Sequence, residues 1–444
     1  MSNCFRVQKN LISFILYAIK QKEINIYVIV IDTLILIYTL IDWKSIFTVK
    51  NIFILIVLIY INIVWQLISI SRDIKNCFSK GKECFCIDEQ NNKFKVFRIS
   101  KDVADKYQIL CIDDNNIAVL VSNEIDDILK KEIKYKIYKL KKQKDLDRYI
   151  KTYKDILWLF LSWKWKEISN QNGYFFNDEK LCMGGELFHL KGTNIDLPLT
   201  KGYYYNTFLT NGIYDIVLNK AEFKISPPMN INNYTIETLD KSRMSDHIGV
   251  STLAITNDGY TFIIRQNNKT AVNNYRLQPS GSGSVDFKDT YKTNYLSQII
   301  IGAANRELHE ETKIPYNIID KTIITGFYRD LYKAGKPEFC CITFLNKNNI
   351  EIEEFIKPNR DENTEEYKKV QFLASNPQKN IHHTFHIFIK ENKKEISVPL
   401  YMTYCKAVKY FTKNESNMHK FIKAKNNHSE YIIYKSNNKI NQTY

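Results

Sequence analysis

Three glutamates that lie close together in the sequence have the types and spacing of a site for a divalent cation. Glu307, Glu310 and Glu311 occupy positions i, i+3 and i+4, so a helix would place them on one face. Like charges on one face repel each other, whereas Mg²⁺ held by carboxylates and substrate phosphates would reverse that repulsion. The preceding turns are apolar enough to pack such a helix on a core. A solvated acidic helix face is the alternative that this spacing leaves open.

The segment RELHEE, with the apolar residue three positions after it, resembles the Nudix box, G-x5-E-x7-R-E-U-x-E-E-x-G-U with U apolar. Lys313 stands where the family has glycine, and the stretch before Arg306 is longer than the pattern allows. Counting back from Arg306 gives Gln298 as the first acid. Counting forward from Gly283, in the glycine-rich turn PSGSGSVD, gives Asp289. The resemblance therefore predicts an insertion between turn and helix and leaves two candidates for the first acid.

The resemblance also implies a role for each residue of the box. Glu307, Glu310 and Glu311 would hold Mg²⁺, and Glu307 would also activate water. Arg306 would assist catalysis by orienting a carboxylate through paired N–H bonds. A bound metal neutralises the oxygens of a diphosphate and lowers the pKa of its water. The residues that would contact a nucleotide are two turn glycines and two strand arginines, Gly281, Gly283, Arg265 and Arg276.

The composition favours partners that carry negative charge. The chain has 63 lysines and arginines against 48 aspartates and glutamates, a net charge of +15. A basic surface suits nucleotides, nucleic acids or anionic lipid but does not choose among them. The nine cysteines show no C-x-x-C pair and no zinc spacing, so we expect reduced thiols and a mostly cytosolic chain.

Two long apolar runs, about 24–41 and 52–70, predict a two-helix transmembrane hairpin. At ~1.5 Å per residue each run would reach roughly 27–29 Å, the thickness of a bilayer core. Basic residues before the first run and after the second would hold both termini in the cytoplasm, at the bacterial inner membrane. Asp32 and Asn62 would meet at mid-bilayer, either as a structural pair or as a membrane switch between protomers. A pair of buried core helices is the alternative.

The remaining sequence predicts an α+β chain with a β-rich middle region and a C-terminal Nudix-like α/β/α domain. Two alternating apolar runs, 247–256 and 260–266, flank an Asn-Asp-Gly turn and predict a hairpin. Alternation in the segment 382–386 predicts a strand with a polar face or a metal site. The predicted domains are the hairpin at 1–75, the cytosolic middle region at 76–245, the Nudix-like domain at 246–412 and a polar tail at 413–444.

This order of parts resembles the transmembrane–Nudix effectors associated with CD-NTase enzymes in CBASS, a bacterial anti-phage system. The PSGSGS turn and the stretched box resemble its SMODS-associated Nudix domain. The resemblance implies that a cyclic oligonucleotide made on infection binds the Nudix-like region. The chains would then form a homo-oligomer and disrupt the inner membrane lipid, with no DNA or RNA polymer as partner. The alternatives are a membrane-anchored Mg²⁺-dependent Nudix hydrolase that cleaves nucleoside diphosphate-linked substrates, and a catalytically inactive adaptor.

Overall fold

The structure, a computed structural model, describes part of the chain, which divides into two compact units. The described residues are 12–14, 16–17, parts of 57–72, 86–89, 98–112, 117–138, 141–170, 175–190, 196–213, 216–220, 223–225, 235–266, 275–356, 364–372, 383–412, 432–435 and 438–441. The first unit comprises residues 1–88, 148–177 and 218–225, and the second comprises 89–147, 178–217 and 226–444.

The helices and strands follow one another irregularly along the chain. The helices with defined ends are α1 (Lys101–Ala104), α2 (Asn123–Ile128), α3 (Lys141–Thr152), α4 (Lys154–Asn170), α5 (Tyr204–Phe208), α6 (Leu296–Thr312), α7 (Asn349–Ile356), α8 (His383–Glu391) and α9 (Val398–Thr412). The strands are β1 (Cys86–Glu89), β2 (Arg98–Ile99), β3 (Gln108–Ile112), β4 (Ile117–Val121), β5 (Tyr135–Ile137), β6 (Glu179–Met183), β7 (Leu197–Tyr203), β8 (Ile216–Lys220), β9 (Phe223–Ile225), β10 (Thr235–Ile236), β11 (Gly249–Ile255), β12 (Tyr260–Gln266), β13 (Leu277–Gln278), β14 (Gly281–Ser284), β15 (Ile319–Asp330), β16 (Lys336–Leu345), β17 (Thr364–Gln371), β18 (Ile432–Lys435) and β19 (Asn438–Asn441).

A mixed nine-stranded sheet forms the centre of the second unit. Its strand order is β13-β12-β11-β16-β15-β4-β3, with β14 paired to β11 and β17 paired to β12. β11 runs parallel to β16 and antiparallel to β12 and β14. The predicted hairpin is confirmed as β11 and β12, which are joined by a turn in which Gly259 has a φ of 85°. Glycine adopts this left-handed conformation at little cost.

The two long helices of this unit cover opposite faces of the sheet. The apolar side of α6, including Ile300 and Ala303, packs with Val250 and Phe339 on one face. On the other face, α9 packs against the side chains of β11 and β16 that alternate with these. Each fully buried aliphatic or aromatic side chain stabilises the fold by ~1.5–3 kcal/mol. The predicted apolar side of the glutamate helix is thus the surface that fixes α6 on the sheet.

The sheet continues across the boundary predicted at residue 245. β4 pairs antiparallel with the end of β15, so that Val121 lies opposite Tyr328 and Val119 lies opposite Asp330. β3 extends the sheet by one more strand. The predicted middle region and Nudix-like domain therefore share one sheet, where the sequence analysis separated them. Pairing between strands that are far apart in the chain produces no local pattern from which to predict it.

A buried ion pair also joins these two stretches of the chain. Arg329 donates to Glu186 at 2.8 Å, and both side chains are fully buried. The Tyr107 hydroxyl donates to the other carboxylate oxygen at 2.7 Å, and the Leu239 backbone N–H donates to the first at 3.0 Å. Because a charge this deeply buried needs a partner and hydrogen bonds, the network fixes the position of β15 relative to the residues around Glu186.

The first unit corrects the predicted membrane architecture. Among the residues described, no helix is both long enough and apolar enough to cross a bilayer. The predicted transmembrane hairpin, and with it the predicted multi-pass location in the inner membrane, is therefore wrong on this structure. An apolar run meets the hydropathy requirement of a span, but a span also needs about 20 consecutive helical residues. The first run, 24–41, which contains Asp32, lies outside the described residues. Asn62, in the second run, is helical and half-buried.

Aromatic packing characterises the described part of this first unit. Phe14 is fully buried, and its ring stacks on Trp158 at 5.0 Å and on Trp165 at 5.7 Å between centroids. Both tryptophans belong to α4, whose residues 156–162 are all buried. The tryptophans that the sequence crowds into this helix therefore serve as packing surface.

Candidate functional site

The predicted glycine-rich turn forms the short strand β14, which lies directly on the glutamate helix α6. A Cβ atom at Gly281 would lie 2.6 Å from the backbone nitrogen of Leu308, and one at Gly283 would lie 2.2 Å from the carboxylate of Glu307. Real Cβ atoms do not come this close to other heavy atoms, so only glycine allows the approach. The two glycines therefore bring the backbone of β14 against the first glutamate of the helix.

The guanidinium group of Arg306 connects the two sides of this junction between β14 and α6. It donates to the carboxylate of Glu307 at 2.8 Å, to the backbone oxygen of Ser284 at 2.9 Å and to Asp289 at 3.1 Å. The structure thus brings Asp289 to the arginine, while Gln298 accepts a hydrogen bond from Thr293 instead. Burial opposes the charge of Arg306, but the carboxylates of Glu307 and its neighbours raise its pKa above the ordinary value.

Glu307 is a buried carboxyl group that titrates close to neutrality. Its side chain is 12% exposed. Burial raises its pKa to about 7, and the positive charge of Arg306 opposes this rise in part. The negative charge of Glu310, one helical turn away, adds to the rise. A carboxyl group with such a pKa can exchange a proton at physiological pH.

The other two glutamates of the helix point to different surroundings. Glu311 accepts a hydrogen bond from the backbone N–H of Ser282 at 2.8 Å, which fastens β14 to the helix. Glu310 is 53% exposed and approaches Arg306 at 3.4 Å. Within the described segments, no three His, Cys, Asp or Glu side chains form a group that could hold a metal ion. The three glutamates make separate contacts in this arrangement, and their role as Mg²⁺ ligands stays a prediction.

Lys313 ends the helix in a left-handed conformation that favours glycine. Its backbone is left-handed, with φ 63° and ψ 10°, and its N–H donates to the carbonyl of His309 at 2.8 Å. This is the usual hydrogen bond of a helix that ends with a left-handed residue. Lysine thus ends the helix where the Nudix pattern has glycine, at the cost of placing a side chain in a conformation it disfavours.

The two predicted strand arginines have different surroundings. Arg265 donates to Glu366 at 2.8 Å, to the carbonyl of Tyr275 at 3.0 Å and to Glu395, so its guanidinium is already occupied. Arg276 directly precedes β13 and is half-buried. The structure brings Arg306, Glu307, Glu311 and both glycines to the contact between β14 and α6, with the exposed Glu310 beside Arg306. It does not bring Arg265 to them, and Asn62 belongs to the other unit.

Sequence reasoning missed two residues beside this junction. His247 is buried, and its Nε2 lies 3.3 Å from the hydroxyl of Ser284, while no hydrogen-bond partner for its Nδ1 lies in the described structure. Burial and the nearby charges of Lys336 and Lys180 hold the pKa of His247 well below the usual range. Lys180, on β6, donates to Asp286 at 2.6 Å. Nothing in the sequence marks Lys180, because it reaches the junction from a distant strand.

The comparisons with known proteins add little to this site. No protein-family model matches the chain, and no curated protein matches it. Among solved structures, DR0079 from Deinococcus radiodurans is similar at 18% sequence identity with a TM-score of 0.18. The match covers 23% of this chain and about half of the other, 56%. A similarity at this level supports no conclusion about fold or function.

Proposed function

We propose that this chain is an effector of a CBASS-type antiviral system and that its second unit binds a cyclic oligonucleotide where β14 meets α6. The observation that carries the proposal is a group of three cations at the end of β14. Lys180, Lys288 and Arg306 lie 2.6, 3.1 and 3.8 Å from the single carboxylate of Asp286. Cations that share one carboxylate can also bind phosphate oxygens through charge-assisted hydrogen bonds.

The surroundings of these three cations allow a phosphate to bind to them. Lys288 is 63% exposed, so it can turn from Asp286 to a ligand without disturbing the core. Glu307 is partly protonated at neutral pH because burial raises its pKa to about 7, which reduces the negative charge that a phosphate would meet. The class of ligand comes from the resemblance of the PSGSGS turn and the RELHEE segment to SMODS-associated Nudix domains.

The carboxylates of α6 support a sensor more than a ready-made catalyst. Glu307 is engaged by Arg306, and Glu311 is engaged by the backbone of Ser282. The contact of Glu311 with Ser282 and that of Arg306 with the carbonyl of Ser284 fasten β14 to the helix, so a ligand that binds there would change how strand and helix pack. A ligand acts as a signal only if it binds one packing arrangement better than another. We propose association of several copies as the response to that change.

Thermal unfolding of the full chain with a panel of cyclic di- and trinucleotides tests the proposal. A ligand at 100 times its Kd stabilises the folded state by ~2.7 kcal/mol, which is readily measured as a shift in Tm. Lys288→Ala should weaken binding roughly tenfold, whereas Lys101→Ala, at an exposed lysine on α1, should not. Absence of a shift with every cyclic nucleotide, or equal binding by both variants, would overturn the proposal.

A second candidate function is Mg²⁺-dependent hydrolysis of a nucleoside diphosphate-linked substrate. The observation that favours it is Glu307, buried against β14 and able to accept a proton near neutral pH. Bound Mg²⁺ would neutralise the diphosphate and activate water. Because the three glutamates do not converge, Glu311 must first release Ser282.

Incubation of the full chain with NAD, ADP-ribose and dinucleoside polyphosphates over a Mg²⁺ titration distinguishes the two candidates. Hydrolysis requires turnover that depends on Mg²⁺ and is lost in both Glu310→Gln and Glu311→Gln. The sensor requires that cyclic nucleotides bind in EDTA and are recovered intact. Turnover without binding of any cyclic nucleotide would replace the first candidate with the second.

A further inference from the structure

The inserted stretch between the glycine-rich turn and α6 carries a tyrosine that folding leaves exposed. The stretch begins with a short 3₁₀ helix, Phe287–Lys292. The Tyr135 hydroxyl donates to the backbone carbonyl of Thr293 at 2.6 Å and also lies 3.1 Å from that of Thr290. These contacts fix the backbone on both sides of Tyr291, so the insertion has a defined position beside the junction of β14 and α6.

Tyr291 presents its ring to solvent on one side of this junction. It is 73% exposed, the largest value for any large apolar or aromatic side chain among the described residues. The ring of Phe287 meets it edge to face at 6.0 Å between centroids. Lys201 lies 5.2 Å from the centre of the Phe287 ring and is paired with Glu179. This lysine therefore supports the aromatic pair and adds no unpaired charge.

Tyr316 presents a second ring on the other side of the junction, just beyond the end of α6. It begins the turn that follows the helix and is 53% exposed. Its ring packs on the ring of His309 at 4.7 Å between centroids, and His309 lies about one helical turn from Arg306. Partial burial raises the pKa of Tyr316, the charge of Glu310 adds to the rise, and Arg306 opposes it. The second ring thus lies within reach of the charges at the junction.

Two exposed aromatic rings on either side of a phosphate site suit a ligand with two nucleobases. Every base has a π-face, so stacking on an aromatic side chain requires no particular base. Each of the two tyrosines already packs on another ring, which reduces the side-chain freedom that is lost when a base stacks on it. An isolated surface tyrosine needs no explanation. A pair that flanks one proposed phosphate site, with one member carried by an insertion, does.

We infer that the ligand is a dinucleotide whose two bases stack on Tyr291 and Tyr316, with its phosphate between them at the three cations around Asp286. This inference rests on the proposed function for the phosphate site and adds the residues that bind the bases. It also gives the inserted stretch of the box a role, because the insertion is the segment that carries Tyr291.

Isothermal titration calorimetry of the full chain with cyclic di-AMP, cyclic di-GMP and the linear dinucleotide pApA tests this inference. Tyr291→Ala and Tyr316→Ala should each weaken binding roughly 5- to 150-fold, the usual effect of losing one stacked base. Phenylalanine at either position should retain the affinity, because stacking uses the ring. Tyr410→Ala is the control, since Tyr410 is 41% exposed on α9 at the opposite face of the sheet, and it should bind as the wild type does.

The outcomes separate this inference from the proposed function. Cyclic dinucleotide binding that depends on Lys288 but is unchanged in both tyrosine-to-alanine variants would overturn the inference and leave the proposed function standing. Binding of pApA that requires both tyrosines, without binding of any cyclic nucleotide, would support the inference and overturn the proposed function. Absence of binding by all three dinucleotides would overturn the inference. Circular dichroism melting curves establish that each variant is folded.

Discussion

Alanine in place of Gly281 tests the contact on which the whole candidate site depends. The added Cβ atom would lie 2.6 Å from the backbone nitrogen of Leu308 and 2.7 Å from its Cα atom. Because the obstacle is helix backbone, neither rotation of a side chain nor a small local shift can remove it. Overpacking of this kind costs about 1–3 kcal/mol. Gly281→Ala should therefore lower the free energy of unfolding by that amount and separate β14 from α6.

Gly302 provides a matched control in the same helix. A Cβ atom there meets nothing within 4 Å among the described residues, and the position is exposed. Alanine is favoured over glycine in a helix by about 0.8–1 kcal/mol, so Gly302→Ala should stabilise the protein. The same chemical change should thus have opposite signs at two positions, with a total difference of about 2–4 kcal/mol.

Urea unfolding of the full chain, followed by tryptophan fluorescence and circular dichroism, gives both free energies. If both probes give the same midpoint for the transition in which α6 unfolds, the wild type and the variants are compared over the same unfolding step. If Gly281→Ala is as stable as the wild type within 0.5 kcal/mol, β14 does not lie on the helix as described. If it is destabilised but binds cyclic nucleotides with unchanged affinity, the ligand does not bind at this junction.

Three more predictions address other parts of the second unit. The folded-state pKa of Glu307 is raised to about 7 from 4.5, so its contribution to stability is lost as pH rises between these values, by up to about 3 kcal/mol. His247, buried and neutral, acts in the opposite direction below its ordinary pKa, so the measurement is the difference between wild type and Glu307→Gln at pH 5, 6, 7 and 8 in EDTA. The variant should gain relative stability as pH rises, and a constant difference would contradict the raised pKa. Glu186→Ala should cost about 3–5 kcal/mol of unfolding free energy, because it leaves Arg329 buried without a counter-ion. Replacing both charges by leucine and methionine should recover most of that loss in urea titrations, and a loss below 1 kcal/mol for the single change would show that the pair is not buried. Lys313→Gly should stabilise the chain by about 1 kcal/mol because glycine accepts the left-handed conformation; a lower Tm in the variant would contradict that conformation.

Local patterns in the sequence predicted the local structure of the second unit well. The Asn-Asp-Gly turn, the strands on either side of it and the helix that carries Glu307 all follow from short-range periodicity and turn chemistry. Counting forward from Gly283 also gave Asp289 as one of two candidates for the first acid of the box, and the structure places Asp289 beside Arg306. These features depend on residues that are close together in the chain, and a single sequence contains that local information.

Features that depend on distant residues could not be predicted. The pairing of β4 with β15, the ion pair of Glu186 and the position of Lys180 all join stretches that are far apart in the chain. The alternation at 382–386 predicted a strand, yet residues from His383 onward form α8, because burial of Phe385 and Ile389 on the core matches a helical spacing. Hydropathy predicted the membrane hairpin, although it carries no information on whether a helix is continuous.

The strands that precede the Nudix-like segment determine the smallest fragment of the chain in which that segment can fold and function. A recombinant fragment that starts at residue 246 would lack β4, so the end of β15 would be uncovered and open to aggregation. It would also lack Glu186, leaving Arg329 buried with no counter-ion. If such a fragment failed to bind nucleotides, the failure would therefore indicate misfolding of the fragment. For the same reason, a fragment meant to carry the box in its folded form must begin upstream of Tyr107, whose hydroxyl donates to Glu186 and which directly precedes β3.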